Sequence, residues 1–150
     1  MTDVDEIRKG VRLREAGNIA EARDLLNSLW QAVSKGDDAF AVCFLAHSLA
    51  DVQDDPEEEL RWDILALKAA GEVTDERAAE QQIPGGRRGL YPSLHLNLAE
   101  DYLRLGDEKR AQEHYRSGAE FVRSLGDDNY GDGIREAFKT YAARAREDSE

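Results

Sequence analysis

Helix stops and helix starts alternate along this 150-residue chain so regularly that a succession of antiparallel helices is the fold class they dictate. Asp55-Pro56-Glu57-Glu58 is the clearest start. It sets a cap acceptor before a proline whose missing N–H costs nothing there, then carboxylates on the positive end of the helix dipole. Thr2 or Asp3 caps a first helix carrying Val4, Ile7 and Val11, and Gly17-Asn18 stops it. A second carries Ala22, Leu25, Leu26, Leu29 and Trp30 to about Lys35-Gly36; Asp37 and Asp38 open a third, from Ala39 to about Val52. The helix after Asp55 uses Leu60, Ile64 and Leu67 as its apolar stripe and ends at Gly71. Thr74 caps a short segment to about Gln82, and Pro84-Gly85-Gly86-Arg87-Arg88-Gly89 reads as irregular. Pro92 reopens a helix with Leu94, Leu98 and Tyr102 that Gly106 ends; Lys109 to Ser124 follows, with Gly126 as its stop. Asp127 to Gly131 makes a turn, and Asp132 caps a last helix with Ile134, Phe138 and Tyr141.

Only three prolines interrupt the chain, and no window alternates as a strand does. Helical hairpins in series bury their apolar faces against their neighbours. The expected architecture is all-α: a right-handed antiparallel helix-hairpin solenoid forming one domain over residues 1–150. Its hairpins span about 3–36, 37–71 and 91–125, with an insertion at about 72–90 and a capping helix at about 132–147.

The third hairpin resembles a tetratricopeptide repeat. Leu96-Asn97-Leu98-Ala99-Glu100-Asp101-Tyr102 is similar to the first helix of that family, and Leu105-Gly106-Asp107 sits where its turn belongs. Ala111, Tyr115 and Gly118 fall at small, aromatic and small positions of the second helix. The first hairpin matches through Gly10, Leu13, Gly17-Asn18 and Ala22, with Leu29 where a small residue is usual; in the second, Glu59 takes a small position. The turn markers Gly17, Asp54 and Gly106 stand 37 and 52 residues apart, against the family's ~34. The stretch from Thr74 to Tyr91 accounts for the longer interval.

The resemblance implies a groove, lined by the first helix of each hairpin, that takes protein or peptide partners. It places Asn97, Glu100 and Arg104 on that lining, where their spacing keeps them on one helix face. Asn97 matches an asparagine that bonds ligand backbone in the family. Arg8 holds the same place in the first hairpin, and His47 and Asp51 in the second. Trp62 lies off the Leu60-Ile64-Leu67 stripe, so it is either packed between hairpins or an anchor for a partner or a second copy.

Catalytic machinery is not expected. No serine sits in a nucleophile elbow, and no cysteine–histidine pairing can be read from spacing. Cys43, the single cysteine, lies in the apolar run from Phe40 to Leu45 and reads as a buried, inert thiol. His47, His95 and His114 share no ligand spacing such as HExxH, so a metal site would need assembly by tertiary structure alone; neither metal nor cofactor is expected. The run beginning at Asp128 fails as a calcium loop, because Lys139 stands where its bidentate carboxylate belongs. Gly85-Gly86-Arg87-Arg88-Gly89 has the backbone freedom and the guanidiniums to hold an anion, or it is a connector whose arginines answer nearby acids.

The formal charge of −12 argues against a nucleic-acid partner. The acidity is local: residues 37–82 carry 13 acids against Arg61, Lys68 and Arg77, which fits either solubility or a basic partner. With no leader-like N-terminus and no membrane-length apolar run, a cytoplasmic protein is expected. Its leading reading is a non-catalytic protein- or peptide-binding scaffold. The alternatives are a self-associating structural repeat protein, a homodimer for example, and a small-anion sensor built on residues 85–89.

Overall fold

In a computed structural model the described residues are 2–123, 125 and 129–149, and every regular element among them is helical. In chain order these are α1 (Asp3–Glu15), α2 (Ile19–Ser34), α3 (Ala39–Ala50), α4 (Pro56–Ala70), α5 (Asp75–Glu80), a 3-10 helix (Gly86–Leu90), α6 (Tyr91–Arg104), α7 (Glu108–Val122) and α8 (Asn129–Ser149). None of them is long and apolar enough to cross a membrane.

The caps form largely where the side chains announce them. Thr2 accepts from Asp5 N–H while the Asp5 carboxylate accepts from Thr2 N–H, a reciprocal capping box. Asp38 takes the N–H groups of Phe40 and Ala41, Asp55 that of Glu57, Thr74 that of Arg77 and Asp107 that of Arg110. Two helices end in the same way. Gly17 (φ 88°) and Gly106 (φ 82°) take the left-handed conformation, and the next N–H reaches back across the turn. Asn18 N–H donates to the Leu13 carbonyl and Asp107 N–H to that of Tyr102, both at 2.9 Å.

The chain divides into two compact units, Met1–Val73 and Thr74–Glu150, so the boundary falls inside the stretch read from sequence as an insertion. In the first unit α1 and α2 pair as a hairpin, α3 packs against both, and α4 pairs with α3. Eight of the twelve residues of α3 are buried, Leu45, Ala46 and Leu49 among them, because α3 is apolar on every side. The Arg23 guanidinium of α2 clamps the end of α3, donating to the Val52 carbonyl at 2.9 and 2.6 Å.

In the second unit α6 and α7 pair, and α8 packs against both. Leu96 and Ala99 of α6 meet Phe138 and Tyr141 of α8, with Tyr115 of α7 tilted against Phe138 at 5.5 Å and stacked on Tyr141 at 5.2 Å between centroids. Gly118 makes room for this arrangement. A Cβ there would stand 2.7 Å from Phe138 Cζ and 3.0 Å from His95 Cβ.

Four expectations are corrected. The buried positions of α4 are Asp63, Ala66 and Ala70, while in the expected stripe Leu60 and Leu67 are half-buried and Ile64 is 45% exposed, so the stripe is not the most buried face. Small side chains let α4 lie close along α3, and that geometry overrides the apolar period. Residues 86–90 are not irregular but close a 3-10 helix. Asp132 is inside α8 rather than its cap; its carboxylate accepts from Arg135 Nη1 at 3.1 Å. The expected stop at Gly126 and residues 127 and 128 of the expected turn fall outside the described residues, while residues 129–131 belong to α8 rather than to a turn.

Candidate functional sites

In the first unit the helix pair α3–α4 assembles a mixed imidazole–carboxylate cluster. His47 and Asp51, one turn apart on α3, come together as their spacing implies, with Nε2 and Oδ2 at 3.9 Å. On its other side His47 Nδ1 faces Asp63 Oδ1 of α4 at 4.0 Å. Asp63 is only 2% exposed, whereas His47 and Asp51 are about one-third open. Glu59, one turn before Asp63, brings a carboxylate oxygen within 4.8 Å of it. Taking a carboxylate out of water costs several kcal/mol unless a partner answers it, so an imidazole at this position is electrostatically favoured. Asp63 went unnoticed in the sequence because an acid on an apolar helix usually points outward.

In the second unit α6 carries the polar row Asn97, Glu100 and Arg104. Asn97 and Glu100 are half-buried and Arg104 is exposed. Glu100 lies between two guanidiniums, 3.9 Å from Arg104 Nη2 and 3.7 Å from Arg144 Nη2 of α8. Such open pairs add at most about 1 kcal/mol to stability, but they fix charge in place. Arg144 was not foreseen, since only the packing of α8 on α6 brings it there.

The contact between α6 and α7 holds a column of rings. Tyr91 stacks on Phe121 at 4.8 Å, and Phe121 lies within 7° of parallel to His95. His95 stacks on His114 at 5.3 Å, and His114 lies within 7° of parallel to Tyr102. The two imidazoles meet nitrogen to nitrogen, Nδ1 to Nδ1 at 3.1 Å, a hydrogen bond in which one ring donates and the other accepts. The bond needs at least one Nδ1 without a proton, so protonation of both rings breaks it. Burial and the neighbouring His114 lower the pKa of His95 from 6.5 to about 4; burial also lowers that of His114, against an opposing pull from Glu113.

Stability then depends on pH in a defined window. An unfolded imidazole takes up a proton near 6.5, while folded His95 stays neutral down to about 4, so between these values the unfolded chain binds more protons. The contribution of the pair is complete above pH 6.5 and is lost as the pH falls toward 4. Melting curves from pH 7.5 to 4 should show a loss that a His95→Gln, His114→Gln variant shows to a clearly smaller degree. Equal losses in the two proteins would refute the assignment.

The remaining candidates lie apart from these clusters. Arg8 is exposed on α1. Trp62 meets Trp30 of α2 edge to face at 4.8 Å, so within its unit this ring packs on another helix. In the glycine-rich segment the Arg87 N–H donates to Asp75 Oδ1 at 3.1 Å, so an acid of α5 takes the place an anion would have there; Arg88 is exposed. Burial pushes the Cys43 thiol up to about 12, which makes it unreactive.

Compared with known proteins, the chain matches no family model, no curated protein and no solved structure.

Proposed function

We propose that this chain is a non-catalytic binding module of tetratricopeptide type, which takes an extended segment of a protein partner along α6. The observation that carries the reading is the α6 row itself, with Asn97 half-buried and Glu100 placed between Arg104 at 3.9 Å and Arg144 at 3.7 Å. An extended chain offers backbone N–H and C=O groups in alternation. An asparagine amide answers both at once, while flanking charges of each sign select side chains and fix register. Further support comes from packing. In each unit a hairpin is followed by a helix laid against both of its members, α3 in one and α8 in the other, which is how stacked helical repeats bury their faces.

The test is capture from an extract of the protein's own cells, comparing the parent chain with an Asn97→Ala, Arg104→Ala variant of unchanged helicity. A protein retained by the parent and released by the variant is the expected result. Equal retention would move the binding surface off α6 and overturn the assignment.

A further inference from the structure

We propose that His95 and His114 form a binding site for one first-row transition-metal ion of imidazole preference, Zn2+ or Cu2+, held between α6 and α7. The two Nδ1 atoms already converge at 3.1 Å. Two imidazoles bound to one tetrahedral zinc, with bonds of roughly 2.0–2.1 Å, hold their ligand nitrogens about 3.3 Å apart. A shift of a few tenths of an ångström, with each ring turned so that its Nδ1 lone pair aims at the metal, converts the hydrogen-bonded pair into a chelating pair.

Two features prepare the rings for this. Each is steadied by an aromatic neighbour, His95 by Phe121 and His114 by Tyr102, both within 7° of parallel. The backbones are brought close by Gly118, whose absent Cβ would have stood 3.0 Å from His95 Cβ. In the metal-free pair one ring carries its proton on Nδ1. On binding, that ring changes tautomer and its proton passes to Nε2, so coordination by the neutral pair releases no net proton. Two positions on the metal are then left for water.

The donor set also predicts what is refused. Ca2+ and Mg2+ prefer oxygen ligands and gain little from two ring nitrogens. The site is independent of the polar row on α6, which uses Asn97, Glu100 and Arg104.

Isothermal titration with Zn2+ near pH 7.5 tests the proposal, with Ca2+ and Mg2+ as comparison ions. The expected result is one saturable Zn2+ site that raises the melting temperature, is lost in His95→Gln and in His114→Gln, and persists in His47→Gln. Binding that follows His47, or none at all, would overturn it. Should the single variants fold poorly, Cu2+ electron paramagnetic resonance on the parent chain decides the matter. Hyperfine structure from two equivalent ring nitrogens supports the site, and one nitrogen or none rejects it.

Discussion

Replacing Phe138 with alanine should lower the unfolding free energy by about 3–5 kcal/mol, the range for deleting a buried phenyl group. Phe138 is 5% exposed and sits where the α6–α7 hairpin receives α8. It has Tyr115 at 5.5 Å on one side and the bare backbone of Gly118 under its tip. Gly118 has no side chain to extend into the space it leaves. The reciprocal change is also costly. A methyl at position 118 would lie 2.7 Å from Phe138 Cζ, so Gly118→Ala should destabilise by about 1–3 kcal/mol through overpacking. The two substitutions should not add. With the ring gone, the methyl of Gly118→Ala enters vacated space, and its closest contact becomes His95 Cβ at 3.0 Å. Urea denaturation followed by circular dichroism measures all four corners of this cycle. Additive losses would mean that the ring and the glycine do not share one space.

The same pair of helices shows what the sequence could and could not convey. Helix positions were legible because they are written locally: an Asp38 or Asp55 carboxylate capping bare N–H groups, a Gly17 or Gly106 able to turn left-handed. Which face of a helix turns inward is not local. In α4 the apolar period pointed to Ile64, yet Asp63 is buried beside His47, because the close approach of α3 favours small residues and the acid finds an imidazole there. The His95–His114 contact joins residues 19 apart, and no spacing motif spans that interval. A signal was nonetheless present. In an antiparallel hairpin, residues roughly equidistant from the turn face each other; Tyr91 and Phe121 each lie 15 residues from Gly106, and His95 and His114 lie 11 and 8 away. Folding the α6–α7 stretch about its glycine would have brought all four rings together. Of the residues expected to bind a partner, His47 with Asp51 and Glu100 with Arg104 do come together as pairs, since i to i+4 neighbours on a helix must.

Leu26→Ala should remove about 2–5 kcal/mol, and the sign of a second substitution should then reverse. Leu26 is wholly buried on α2, its branched end resting on Gly10 of α1. A Cβ on Gly10 would lie 2.5 Å from Leu26 Cδ2 and 2.7 Å from Cγ, so leucine and glycine fit as knob and notch. In the parent chain Gly10→Ala forces the leucine aside, which costs about 1–3 kcal/mol; alanine's better helix propensity returns only about 1 kcal/mol of that. In Leu26→Ala the notch stands empty. The same methyl now partly fills a cavity and keeps its propensity advantage, so Gly10→Ala should stabilise that background by about 1 kcal/mol. Chemical denaturation of the four proteins gives the comparison. If Gly10→Ala were destabilising to the same degree in both backgrounds, α1 and α2 would not be held together by this contact. The proposed likeness of the first hairpin to a stacked repeat would then lose the close helix approach that Gly10 permits.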